Sequence, residues 1–348
     1  MGTSTDLSTE AETGAEPAAS ELAGAFDLAE AILLGAEPSL TRLEVCERSG
    51  VDLEVAVRLW HLMGFPLTDD DEVAFTPADV EALRNAWDLV ELGILSPERQ
   101  AALVRTWGRS FARLAEWQTT LLSAVALEGL DAADDPVETF TALTEQVLPR
   151  VEALQSYVWR RHLASAGGRM LAVADPAAPS RPTAVVFVDI VGYTSRSKTL
   201  SETELVAWIE QFEGETADLV TGVNGRIIKN IGDEVLFVVD DPADALAVAL
   251  EMTRRGSDPE DAYPEVRAGL AYGEVVLRLG DVFGPTVNIA SRLTSIARPG
   301  SVLLDRGAHE ALSEAAEAPG SPYHFKRLRN VSVKGYSRLA AWAVRERS

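Results

Sequence analysis

A break in pattern between Gly167 and Pro182 constrains this chain more than any other feature. On its N-terminal side apolar residues recur at helical spacing. On its C-terminal side short continuous apolar runs alternate with amphipathic stretches. The residues between, Ala-Asp-Pro-Ala-Ala-Pro-Ser-Arg-Pro over 174–182, have the composition of a linker. The 348 residues can bury two cores at roughly 100–200 residues per domain. The expected division is a disordered tail over 1–20, an all-helical domain over 21–166, a linker over 167–182 and a second domain over 183–348.

The tail holds too little apolar surface to offset the entropy of ordering it. From Leu22 onward the text is helical: Leu22, Phe26, Ala29, Ile32 and Leu33 share a face, and Thr41 to Met63 reads as two short helices around Ser49-Gly50. Thr76-Pro77 and Ser96-Pro97 each place an N-cap before a proline suited to the first helical position. A last helix is expected from about Asp135 to Ala166. Leu43 to Trp60 reads like a helix-turn-helix, but Glu54 beside Arg58 makes a poor DNA reader, so DNA is not an expected partner. The stretch from Leu103 to Leu122 reads as bundle core, with a fatty acid or other lipid as the alternative occupant. His162 is the best-placed histidine for a pH response, and a plain surface histidine is the competing reading.

After Pro182 come a buried strand over 184–190, a helix over 202–220, strands over 226–229 and 234–239 joined by Asn230-Ile-Gly-Asp233, a helix over 242–255 and a strand over 266–272. The order βαββαβ predicts a ferredoxin-like unit in an α+β fold. A final helix over 284–296 and strands near 302 and 340–344 extend it. Asp189 ends the first strand and Asp233 sits in the hairpin turn, so the topology can bring both to one end of the sheet. Paired carboxylates with open positions suit Mg²⁺, which completes its shell from water and substrate phosphates. Backbone N–H groups of the loop Ile190-Val-Gly-Tyr-Thr194 are expected to face those phosphates. Taken singly, each aspartate is more often a cap or a solvated turn residue.

Charge narrows the classes. The 31 basic and 54 acidic side chains leave a net charge of −23, which repels a phosphate backbone. One cysteine, Cys46, excludes an internal disulfide framework. No apolar run is long enough to span a bilayer, and the N-terminus lacks the pattern of a signal peptide, so a cytoplasmic location is expected.

Phe187 to Thr194, Lys229 to Phe237 and Gly280 to Arg292 together resemble the three signature segments of class III adenylyl cyclases, over about half the chain. The resemblance implies a cyclase catalytic domain that turns ATP into 3′,5′-cyclic AMP and pyrophosphate with two divalent ions, Mg²⁺ or Mn²⁺. It makes Asp189, Ile190 and Asp233 the metal site, Lys229 and Asp281 the adenine-selecting pair, and Asn288 and Arg292 the transition-state residues. Lys334 would contact the terminal phosphates. Adenine needs one donor and one acceptor opposite its edge, which lysine and aspartate supply. Asn288 and Arg292 are four apart and share a helix face; arginine is permanently charged and fork-shaped, suited to charge on phosphate oxygens. The family forms its site between two catalytic domains, so this chain with one such domain would act as a homodimer. The N-terminal half resembles the helical regulatory domain of soluble actinobacterial cyclases, where pH and lipid are candidate signals. The competing reading is a nucleotide-binding signalling module whose N-terminal segment touches DNA or another partner.

Overall fold

The structure, a computed structural model, describes residues 30–128, 136–171, 181–317, 321, 323–328, 331–333 and 336–346. The tail expected over 1–20 and the residue Lys334 lie outside them. The chain divides into two compact units, Met1–Ala174 and Asp175–Ser348.

In the first unit Thr41 caps α1 (Arg42–Ser49) through a reciprocal exchange with Glu44, and left-handed Gly50 ends the helix. Helix α2 (Leu53–Met63) follows, and Thr76 with Asp79 forms a second such box before α3 (Pro77–Glu91). The long helices α4 (Pro97–Glu128) and α5 (Pro136–Leu171) complete the unit. Its core gathers Val45, Ala56, Leu59, Trp60, Val80, Leu83 and Val104. Two expectations need correction. The unit is not wholly helical, because β1 (Leu40–Thr41) pairs antiparallel with β2 (Val73–Phe75). Nor does α5 stop at Gly167-Gly168: it continues to Leu171, and the next strand already begins at Arg181, so the expected linker is shorter at both ends. Two glycines lower helix propensity by about 1 kcal/mol each, too little to end a helix of this length.

The second unit is built on a sheet whose strands run in the order β4-β5-β3-β6-β8-β12-β9, with β7 paired to β6. Here β3 is Arg181–Ile190, β4 Arg226–Ile231, β5 Glu234–Val239, β6 Val266–Arg278, β7 Asp281–Phe283, β8 Val302–Leu304, β9 Tyr323–Arg327 and β12 Trp342–Glu346. A separate pair, β10 (Val331–Val333) and β11 (Tyr336–Leu339), lies outside the sheet. The segment β3-α7-β4-β5-α8-β6, with α7 at Glu202–Gly222 and α8 at Pro242–Ser257, is the ferredoxin-like unit. A short helix α6 (Tyr193–Ser197) precedes α7. The sequence reading missed α10 (Arg306–Glu317), where alanines and charged residues hide an amphipathic pattern, and took β6 to end near Tyr272.

Alternation along β3 divides the residues between two layers. Ala184, Val186, Val188 and Ile190 join the core built with Trp208, Phe212, Leu246, Met252 and Leu312 from helices α7, α8 and α10. Val185 and Phe187 point the other way, toward Leu236, Ala271, Val282 and Ala290. That second face is covered by one helix, α9 (Pro285–Ile296), and by the β6–β7 hairpin. Helix α9 can lie so close because β6 carries glycine where they meet: a Cβ on Gly269 would stand 2.5 Å from the Ala290 carbonyl oxygen. Thr294 adds a hydroxyl bond to the Phe187 carbonyl at 3.2 Å.

Candidate active site

Strand parity places Asp189 on the α9 face, in register with Glu234 on β5 and Arg267 on β6. The Ile190 amide donates to the Asp233 carbonyl at 3.1 Å, which draws the Gly232-Asp233 turn against the end of β3. Gly232 supplies the positive φ that the tight turn requires. Both aspartates therefore stand at one sheet end, Asp189 and Asp233 each half-buried.

Arg267 Nε donates to Asp189 Oδ2 at 2.7 Å, and its Nη2 forms an ion pair with the same oxygen at 2.5 Å. The sequence reading missed this residue and Glu234. The available signal was a charge at each position that alternation sends to the face of Asp189. Burial raises the Asp233 carboxyl above its usual range, its backbone hydrogen bond opposes that, and the Asp189 charge raises it further. Burial with the charges of Asp189 and Asp233 pushes Glu234 up to about 7. Carboxylates crowded in this way create a demand for positive charge that Arg267 meets only in part.

This donor set fits a hard divalent cation. It offers carboxylate oxygens and the Ile190 carbonyl, with no thiolate or imidazole. Among the described residues no group of three or more His, Cys, Asp or Glu side chains is arranged to hold an ion, so substrate oxygens and water would complete the shell. The backbone loop is less available than expected. The Ile190 and Val191 amides are committed to the Asp233 and Glu265 carbonyls, at 3.1 and 2.8 Å, because the loop is tied to the strands it follows.

Lys229 Nζ donates to Asp281 Oδ2 at 2.6 Å across 52 residues of sequence. A register shift between Ile227 and Lys229 makes this possible. Regular alternation would send Lys229 to the same face as Ile227, under the helices; the extra residue at the bulge turns it to the α9 face. Asp281 follows the Leu279-Gly280 turn, in which both residues have positive φ, and its Oδ1 accepts the Val282 amide at 2.8 Å. One donor and one acceptor thus lie side by side on a partly exposed surface.

On α9 the buried residues are Thr286, Ala290, Leu293 and Thr294. Asn288 and Arg292 lie about 160° around the helix from Ala290, Asn288 exposed and Arg292 half-exposed. They point away from the sheet that carries the aspartates. Arg292 takes part in no ion pair among the described residues, which removes the surface-pairing explanation for it.

In the first unit, His162 is exposed. The expected core stretch along α4 instead leaves Trp107 42%, Phe111 54%, Trp117 57% and Leu121 47% exposed, neither buried in a core nor enclosing a tail. A periodic apolar stripe shows that a face wants covering but does not say by what. A cavity of about 330 Å³ lies between the end of α2 and α4, lined by His61, Met63, Arg105 and Arg109 among others.

Comparison with known proteins follows the same division. Residues 176–346 match the family described as the adenylate and guanylate cyclase catalytic domain, and residues 15–163 match the adenylate cyclase regulatory domain. An adenylate cyclase of Streptomyces coelicolor is 40% identical over 316 residues, covering 89% of this chain and 80% of that protein. One from Streptomyces griseus is 41% identical over 297 residues, 84% of this chain and 73% of its own length. A pH-sensitive adenylate cyclase of Mycobacterium tuberculosis is 35% identical over 301 residues, covering 83% and 74%.

Proposed function

This chain belongs to the adenylate and guanylate cyclase family, and from that premise we propose that it converts ATP into 3′,5′-cyclic AMP and pyrophosphate. The observation that carries the choice of base is the Lys229–Asp281 pair at 2.6 Å. When adenine enters, Lys229 donates to a ring nitrogen and Asp281 accepts from the exocyclic amino group. Guanine presents the opposite pattern on that edge and leaves both groups unmatched, a loss on the order of 10⁴ in rate at best.

Asp189, Asp233 and the Ile190 carbonyl would hold the divalent ions, two in number and either Mg²⁺ or Mn²⁺. Such ions supply Lewis-acid stabilisation to the phosphate oxygens and the attacking hydroxyl. Arg267 fixes the orientation of Asp189 through its hydrogen bond to Oδ2. Asn288 orients the ribose so that its 3′-hydroxyl faces the α-phosphorus. Arg292 stabilises the charge that develops on the α-phosphate oxygens as the new P–O bond forms and pyrophosphate leaves. The hydroxyl proton goes to solvent or substrate. Lys334, outside the described residues, is assigned to the terminal phosphates.

The assembly we propose is a homodimer with two equivalent sites. Its support is the orientation of Asn288 and Arg292, turned from their own sheet, together with the exposed apolar side chains Ile231, Val276, Leu279 and Phe283 around the same hairpins. The N-terminal unit would modulate turnover in response to pH or lipid.

Purified chain incubated with ATP and Mg²⁺ or Mn²⁺ should release cyclic AMP; no product, or equal turnover of GTP, overturns the reading. For the dimer, Asp189→Ala and Asn288→Ala chains should each be inactive and regain activity when mixed, and failure to do so overturns it. Regulation is tested by assaying the full chain across about pH 5.5–8 with and without fatty acid. A profile unaffected by either leaves the N-terminal unit without that role.

A further inference from the structure

Trp208 stands apart in the helical layer. It is 8% exposed, and its Nε1 is the one buried side-chain nitrogen or oxygen among the described residues that lacks a hydrogen-bond partner. A phenylalanine would fill much of the same space without that unmet donor. What the indole adds is a large, electron-rich face, and the face is in use. The Tyr193 ring stacks on it at 6.0 Å between centroids with 14° between planes, and the Arg196 guanidinium lies 4.5 Å over it. Both partners belong to α6, the five-residue helix that follows the Asp189–Gly192 turn. Trp208 itself is held by α7, in line with Phe212 and Thr216. Phe212 packs against Tyr263 in a tilted arrangement at 5.4 Å between centroids, and Thr216 bonds the Tyr263 hydroxyl at 2.8 Å. Two residues beyond Tyr263, the Glu265 carbonyl accepts the Val191 amide.

The metal loop is thus gripped from two sides, at Val191 by a backbone bond and at Tyr193 and Arg196 by the indole. We propose that Trp208 is a positioning residue for the metal loop: by clamping α6 it fixes the Gly192 turn and, through it, the alignment of the Asp189 carboxylate and Ile190 carbonyl. A five-residue helix makes too few internal hydrogen bonds to hold itself, so its order must come from what it packs on. The proposal rests on the cyclase reading only where turnover is the readout.

The test compares Trp208→Leu, Trp208→Phe, Arg196→Ala and, as a core control in α10, Leu312→Ala, all in the full chain. Trp208→Leu should raise the metal concentration for half-maximal cyclic AMP formation about tenfold, with a much smaller change in kcat at saturating metal. It should also speed amide hydrogen exchange over residues 190–197 without metal. Trp208→Phe should recover most of both, and Arg196→Ala should move both slightly in the same direction. Leu312→Ala should lower Tm and move neither. An unchanged metal requirement and exchange in Trp208→Leu overturn the proposal, as does an equal shift in Leu312→Ala. Should Trp208→Leu not fold, Arg196→Ala decides: no shift in either readout overturns it. If the unaltered protein makes no cyclic AMP, the cyclase reading fails, while the exchange comparison still judges the clamp.

Discussion

The two faces of the large sheet use the same strands for opposite ends. Under the helices, Ala184, Val186, Val188 and Ile190 meet a continuous apolar layer from α7, α8 and α10. On the other face Val185 and Phe187 meet a smaller cluster under α9 and the β6–β7 hairpin, and Asp189, Glu234 and Arg267 stand in register at its edge. One face supplies rigidity. The other leaves charged groups only half-buried beside a single tightly seated helix, where each is fixed by strand register. Charge concentrates where packing is thinnest, because full burial of these carboxylates would neutralise them.

The contrast can be broken by substitution. Asp189→Asn keeps the shape and removes the charge. It should reduce cyclic AMP formation on the order of 10³-fold with Tm nearly unchanged, and activity close to that of the unaltered chain would mean the face is not catalytic. Lys229→Ala should lower kcat/KM for ATP about 100-fold and narrow the preference over GTP, measured with both nucleotides; an unaltered preference would remove the pair from base selection.

A matched pair sharpens the comparison on the apolar side. Leu246→Ala, in the helical layer, should cost about 3 kcal/mol in denaturant unfolding with kcat retained. Gly269→Ala should cost about 2 kcal/mol and also lower kcat, because its methyl group pushes α9, with Asn288 and Arg292, off the sheet. Equal effects on kcat would erase the distinction between faces. The smallest change is expected at Asp261. Arg255 hydrogen bonds hold its carboxyl at about 2, so it contributes stability above its ordinary pKa that is lost as pH falls through the folded value. Asp261→Asn should flatten the decline of Tm between about pH 4 and 2.

Much of this was legible in order along the chain. The continuous apolar run ending in Asp189, the turn bearing Gly232-Asp233 and the four-residue spacing of Asn288 and Arg292 each follow from local periodicity. So do the capped starts of α3 and α4. The expected ends fared worse: α5 ran past Gly167-Gly168, whose propensity cost is too small to stop it, and β6 ran past Tyr272, where its far end pairs with β7.

The sequence by itself determined which residues could carry charge to a sheet end, because a strand's period of two assigns each side chain to a face. Tertiary structure decided which of them meet. Arg267 became the partner of Asp189 only through the register of β6 on β3. Lys229 reached Asp281 only because a one-residue bulge in β4 reversed the face that alternation assigns, while the β6–β7 hairpin carried Asp281 to it. Pairing register is a property of two strands at once, so neither strand's sequence contains it.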